Sequence, residues 1–96
     1  MAPVHWLLLY NLSADYIDRR GPLRAAHLAH VQGAHDRGEI LMAGAVSEPF
    51  DLAVLVFTVD DTAIVEQFVA DDVYVHEGLV TSWSIRPWNV VVGGRG

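Results

Sequence analysis

Residues 40–59 read Ile-Leu-Met-Ala-Gly-Ala-Val-Ser-Glu-Pro-Phe-Asp-Leu-Ala-Val-Leu-Val-Phe-Thr-Val, two apolar runs separated by a short polar break. Ile40 to Val46 and Leu52 to Val59 have the length and the β-branched content of strands, and Glu48-Pro49-Phe50-Asp51 has the chemistry of a turn. This is a β-hairpin. Before it, Gly21-Pro22 introduces a helix from Leu23 to Arg37, with Gly38 in the C′ position where a left-handed residue stops the helix. After it, Asp60 or Asp61 caps a second helix that carries Ile64, Val65, Phe68 and Val69 at helical spacing and closes at Asp71-Asp72.

The ends of the chain supply two more strands. From Val4 to Asn11, Val4, Trp6, Leu8 and Tyr10 fall on one face and His5, Leu7, Leu9 and Asn11 on the other, both largely apolar. Ser13 then stands as an N-cap, with Asp15 near the positive helix end. Leu79 to Val92 reads as a long last strand, interrupted by Pro87, which has no N–H for a ladder and so belongs at a sheet edge or a bend. The order strand, helix, strand, strand, helix, strand predicts an α+β, ferredoxin-like fold with a four-stranded antiparallel sheet. Residues 1–92 form one domain in this reading, and 93–96 a flexible tail. Two helices cover one sheet face. Because strands one and three are apolar on both sides, the open face is expected to meet the same face of a second copy, giving a homodimer.

A chain of 96 residues with 52% hydrophobic and 19% charged residues is neither disordered nor a coiled coil. The net charge of −6 opposes the counterion-release term behind nucleic-acid binding, so DNA and RNA are poor partners. The absence of cysteine excludes disulfides, a thiolate nucleophile and Cys-ligated metals. No basic n-region with a cleavage site is visible, and apolar runs such as Trp6 to Leu9 are far shorter than a membrane span, so no membrane partner and a cytoplasmic location are expected.

On a helical wheel His27 falls within the arc of Leu23, Val31 and Ala34 and faces the sheet, while Ala25, Ala29 and Gly33 form a small-residue strip fit for close packing. Most histidines on an apolar helix face are core residues with one satisfied hydrogen bond. A chemical role requires a carboxylate that fixes the tautomer and raises proton affinity, as suits a general acid or base near neutral pH. Asp71 and Asp72 both qualify, and spacing does not choose between them. Tyr10 either lines a cavity or fills the core. His30, about 60 degrees from His27 on the wheel, raises a two-histidine metal site, but no acid stands at ligand spacing in the helix, so no metal is expected. His76, in a loop near Asp72, is either a third polar group or exposed. No serine occupies a nucleophile elbow and no glycine-rich loop suits a phosphate.

Arg20, Arg24, Ala26-His27-Leu28-Ala29-His30-Val31, His35-Asp36-Arg37-Gly38, Ala43-Gly44, Asp72-Val73-Tyr74-Val75-x-x-Gly78 and Arg86-Pro87-Trp88 resemble, in order and spacing, the YCII-related (YciI-like) family of the dimeric α+β barrel superfamily. The resemblance extends from strand one to Trp88. It implies a dimeric barrel and a His-Asp dyad on His27 and Asp72, which favours Asp72 over Asp71. Arg20 and Arg24 fall on arginines of the pattern and are candidate substrate-binding residues, able to hold a carboxylate or phenolate. Val73 and Ala45 replace prolines usual in the family, so a different loop shape is expected. Because its relatives resemble a dehydrochlorinase and share their barrel with muconolactone isomerases, the resemblance implies a small cofactor-independent enzyme. It would use proton transfer in lyase, isomerase or dehydrochlorinase-like chemistry on a small cyclic or aromatic anion. A non-catalytic module binding a small ligand in the same pocket is the alternative reading, and a haem- or oxygen-dependent monooxygenase a third.

Overall fold

The computed structural model describes residues 4–94; the first three residues of the expected domain and the last two of the expected tail lie outside the described residues. The elements are β1 (His5–Leu12), α1 (Tyr16–Arg19), α2 (Gly21–Asp36), β2 (Ile40–Val46), β3 (Leu52–Thr58), α3 (Thr62–Asp71), α4 (Val73–His76) and β4 (Val80–Trp88). The four strands form one antiparallel sheet in the order β2-β3-β1-β4. The two strands that are apolar on both faces, β1 and β3, are therefore the central ones, and the expected fold is the observed one.

The helix ends follow local chemistry. Asp61, not Asp60, caps α3 by accepting the Ala63 N–H at 2.9 Å. Gly38 takes φ +79°, its N–H donates to the His35 carbonyl at 2.9 Å, and the Glu39 N–H donates to Ala34 at 2.9 Å. This pair of bonds is a Schellman motif, and the same arrangement recurs at Gly78, where Leu79 donates to Tyr74 and Gly78 to Val75. A left-handed residue is needed at each point, and only glycine takes it without steric cost.

Three expectations need correction. Ser13 is not a helix cap: its hydroxyl donates to Asp15 Oδ1 at 2.8 Å, and Asp15 occupies the N-cap of the four-residue α1. The last strand stops at Trp88 instead of Val92, because Trp88 pairs with His5, the first residue of β1, and among the described residues the chain beyond it has no strand to pair with. His76 lies in the short helix α4, not in a loop. Pro87 does sit on an edge strand, opposite Trp6.

The core lies between the helices and one sheet face. β1 contributes Leu8, Tyr10 and Leu12, β3 contributes Leu55 and Phe57, and α3 adds Val65, Phe68 and Val69. Opposite pairs in an antiparallel ladder share a face, so Leu7, Leu9, Val54 and Val56 line the other side together with Met42 and Trp88. Met42 and Trp88 are 62% and 47% exposed there. Ala25 and Ala29 of α2 face solvent because His27, Val31 and Ala34 turn inward. Among the described residues no helix is long and apolar enough to cross a membrane.

Candidate active site

Asp72 occupies the joint between α3 and α4. Its extended backbone, φ −83° and ψ 121°, ends one helix and starts the next, and its side chain accepts the Tyr74 N–H at 3.0 Å. The carboxylate is completely buried. A buried charge is tolerated only when its lone pairs are used, and three donors converge on this one. Oδ1 receives both Tyr74 N–H and His27 Nδ1, the latter at 2.8 Å, and Oδ2 receives the Tyr10 hydroxyl at 2.9 Å. Burial pushes the Asp72 carboxyl up, but the hydrogen bond and charge of His27, with the bonds from Tyr74 and Tyr10, outweigh it and hold the group below its ordinary value.

An ionised Asp72 accepts only, so the proton between it and His27 belongs to His27 Nδ1. Nε2 is then the basic nitrogen of the neutral ring. His27 comes from the inward face of α2, is half-buried and lines a cavity of about 340 Å³ between α2 and the helix-covered face of the sheet. Helical spacing turns His27 toward the sheet, and its side chain stands there. Of the two aspartates left open by spacing, Asp72 is the partner, whereas Asp71 is exposed and accepts from Gln67 at 3.1 Å.

Tyr10 does both things considered for it. It is 1% exposed in the core, lines the cavity and bonds Asp72. Burial first, then the Asp72 charge and hydrogen bond, push its phenol far above the usual tyrosine range, so it remains a neutral donor. Arg20 and Arg24 also line the cavity. Arg20 is half-buried, with its guanidinium 5.5 Å from the ring centres of both Tyr16 and Phe50. Arg19 and Arg37 pair with Asp15 and Glu39, but neither Arg20 nor Arg24 pairs with a carboxylate among the described residues.

Three aromatic residues complete the wall without having been singled out from the sequence. The Tyr74 ring stacks on His27 at 3.7 Å, Tyr16 stands edge-on to Tyr74 at 5.8 Å, and Phe50 from the β2–β3 turn tilts against Tyr16 at 6.5 Å. Tyr74 had a visible signal, its place two residues after the candidate aspartate. Tyr16 and Phe50 had none beyond being aromatic. The remaining histidines turn elsewhere: His30 to the Phe68 carbonyl and His35 to the Ile40 carbonyl, each at 2.9 Å, and His76 to the Ala70 carbonyl. His76 is therefore not a third polar group of the site. Ala45, in place of the family's usual proline, lines the cavity, and Val73 packs against the core.

The sequence pattern of the YCII-related domain matches residues 4–89. Among solved structures, the chain resembles 5-chloro-2-hydroxyhydroquinone dehydrochlorinase from Burkholderia phenoliruptrix AC1100, determined in complex with 2,5-dihydroxybenzoquinone. The two share 18% identity and a TM-score of 0.75, over 88% of this chain and 93% of that one, which is a likeness of fold. No curated protein matches significantly. With the pattern covering all of β1 to β4, the chain belongs to the YCII-related family.

Proposed function

We propose that this protein is a small enzyme in which His27, oriented by Asp72, moves a proton on a small cyclic or aromatic anion. The observation that carries this reading is the buried carboxylate that binds His27 Nδ1 at 2.8 Å and leaves Nε2 as the free nitrogen of a cavity-lining ring. Nε2 takes a proton from a carbon next to a carbonyl, the C–H electron pair moves into an enolate, and Asp72 stabilises the imidazolium that forms. Return of the proton at another carbon is an isomerisation. Departure of chloride from an adjacent carbon is a dehydrochlorination, after which His27 releases its proton to solvent.

Arg20 and Arg24 support the anionic substrate. In a chain with 12 acidic and 6 basic residues, two arginines that line one cavity without a carboxylate partner among the described residues are available to an external anion. The aromatic wall suits a planar ring. The reading is tested by incubating wild type and His27→Gln with planar acidic rings, including chlorinated hydroxyhydroquinones. Turnover by the wild type, reduced about 10²- to 10⁴-fold in the variant, is expected. Binding without turnover by either protein would instead assign a ligand-binding module.

The homodimer belongs to the same proposal. Leu7, Leu9, Val54, Met42 and Trp88 form an apolar surface that the helices do not reach, and such surfaces on small domains serve as interfaces. Light scattering is expected to give twice the monomer mass for the wild type and the monomer mass for Val54→Glu.

A further inference from the structure

Asp72 Oδ1 fixes two groups at once: it accepts the Tyr74 N–H at 3.0 Å and the His27 Nδ1–H at 2.8 Å. The two-residue offset between Asp72 and Tyr74 thus ties the tyrosine to the same oxygen that orients the histidine. The rings stack with centroids 3.7 Å apart and planes 7° from parallel. Neutral aromatic pairs avoid this overlapped arrangement, because their quadrupoles repel, and prefer offset or edge-on contacts with centroids about 4.5–7 Å apart. Tyr16 meets Tyr74 in that way, edge-on at 5.8 Å and 88°. A cation over a tyrosine face is attracted instead, increasingly so when water is excluded. Tyr74 is 2% exposed.

We propose that Tyr74 is a positioning residue for His27, its ring serving as an electron-rich platform that favours the imidazolium over the neutral imidazole. The hydroxyl is not what the platform needs, and it is buried without a hydrogen-bond partner among the described residues. The other groups that bear on His27 are Asp72 at the α3–α4 joint, Tyr10 of β1 acting through Asp72, Tyr16 of α1, and the cations Arg20 and Arg24 along the same cavity, whose charges oppose the imidazolium. The sheet residues opposite, Ala43 and Ala45 of β2 and Ala53 and Leu55 of β3, carry no charge. Asp72 and Tyr74 therefore act together, one at the edge of the ring and one on its face. During turnover the platform holds the proton that His27 has taken up. This consequence rests on the proton-transfer reading, whereas the platform itself is measurable without substrate.

The experiment is an NMR titration of the His27 ring in wild type, Tyr74→Phe and Tyr74→Leu, with the His30 signal as internal control. Tyr74→Phe keeps the aromatic face and is expected to preserve His27 proton affinity within about twofold. Tyr74→Leu covers the ring without a π face and is expected to lower that affinity about three- to thirtyfold. An unchanged affinity in Tyr74→Leu overturns the platform. Should the leucine variant not fold, phenylalanines carrying increasing numbers of fluorines at position 74 keep the shape while withdrawing electron density. A stepwise fall in affinity supports the proposal and a flat series overturns it. Loss of turnover in His27→Gln tests the proton-transfer reading separately, so either idea can fail alone.

Discussion

His27 Nδ1 and Asp72 Oδ1 lie 2.8 Å apart across 45 residues of sequence, and the carboxylate also serves Tyr10 and Tyr74. Removing it in Asp72→Ala leaves three donors facing a void, and about 3–5 kcal/mol of stability is expected to go with it. Asp72→Asn keeps an acceptor at the Oδ1 position for His27 and Tyr74 and turns its amide toward the Tyr10 oxygen. It should cost only about 1–2 kcal/mol while lowering kcat/KM by about 10²-fold or more, because the imidazolium loses its counter-charge. Urea unfolding alongside turnover separates the two effects, and equal destabilisation by both substitutions would contradict the proposed bonding.

Tyr10 and Tyr74 are both buried, yet among the described residues only one hydroxyl has a partner. Tyr10 donates to Asp72 at 2.9 Å, whereas the Tyr74 hydroxyl has no hydrogen bond among the described residues. Tyr10→Phe is therefore expected to cost about 1.5–3 kcal/mol, the range for a bond to a charged group. Tyr74→Phe loses no bond and sheds a buried unpaired hydroxyl, so its stability should equal or exceed that of the wild type. Thermal melts of the two variants check the contrast.

The site also sets a pH dependence. Asp72 is held below its ordinary value in the folded state, so its contribution to stability is present above the ordinary carboxylate value near 4 and is lost as pH falls through the lowered folded value. Tyr10 is shifted the opposite way. Its contribution is complete below the ordinary tyrosine value near 10 and is lost as pH rises beyond it, where the unfolded phenol ionises and the folded one resists. Stability measured from pH 2 to 6 should fall less steeply toward acid in Asp72→Asn than in wild type, and above pH 10 less steeply in Tyr10→Phe.

Most of this geometry was legible where it depends on periodicity. Period two placed Leu8 and Tyr10 on one face of β1, which the helices cover, and period 3.6 turned His27 inward. Asp71 and Asp72 could not be separated that way, because the choice depends on a joint between two helices that only Asp72's extended backbone creates. The end of β4 was illegible for a related reason: a strand stops where its partner stops, and β1 begins at His5. The stacking of Tyr74 on His27 and of Arg20 against Tyr16 and Phe50 arises from tertiary packing, which leaves no periodic trace.

Arg20 and Arg24 differ in how they are held, and substitutions should reveal it. The Arg20 guanidinium lies 5.5 Å from two aromatic rings and is half-buried, while Arg24 is exposed at the cavity. A planar guanidinium stacks on rings and offers two parallel N–H groups, properties an ammonium lacks. On the proposed function, Arg20→Lys should therefore weaken binding of a planar anionic ring, with 2,5-dihydroxybenzoquinone as the probe, nearly as much as Arg20→Gln, by about tenfold or more, as for a charge-assisted hydrogen bond. Arg24→Lys, which keeps a positive charge in a solvated position, should recover most of what Arg24→Gln loses. The measurement is an absorbance titration of the coloured quinone, in a chain with no cysteine thiol to react with it. Full rescue by lysine at position 20 would show that Arg20 acts through charge alone and that its aromatic neighbours do not shape the anion site.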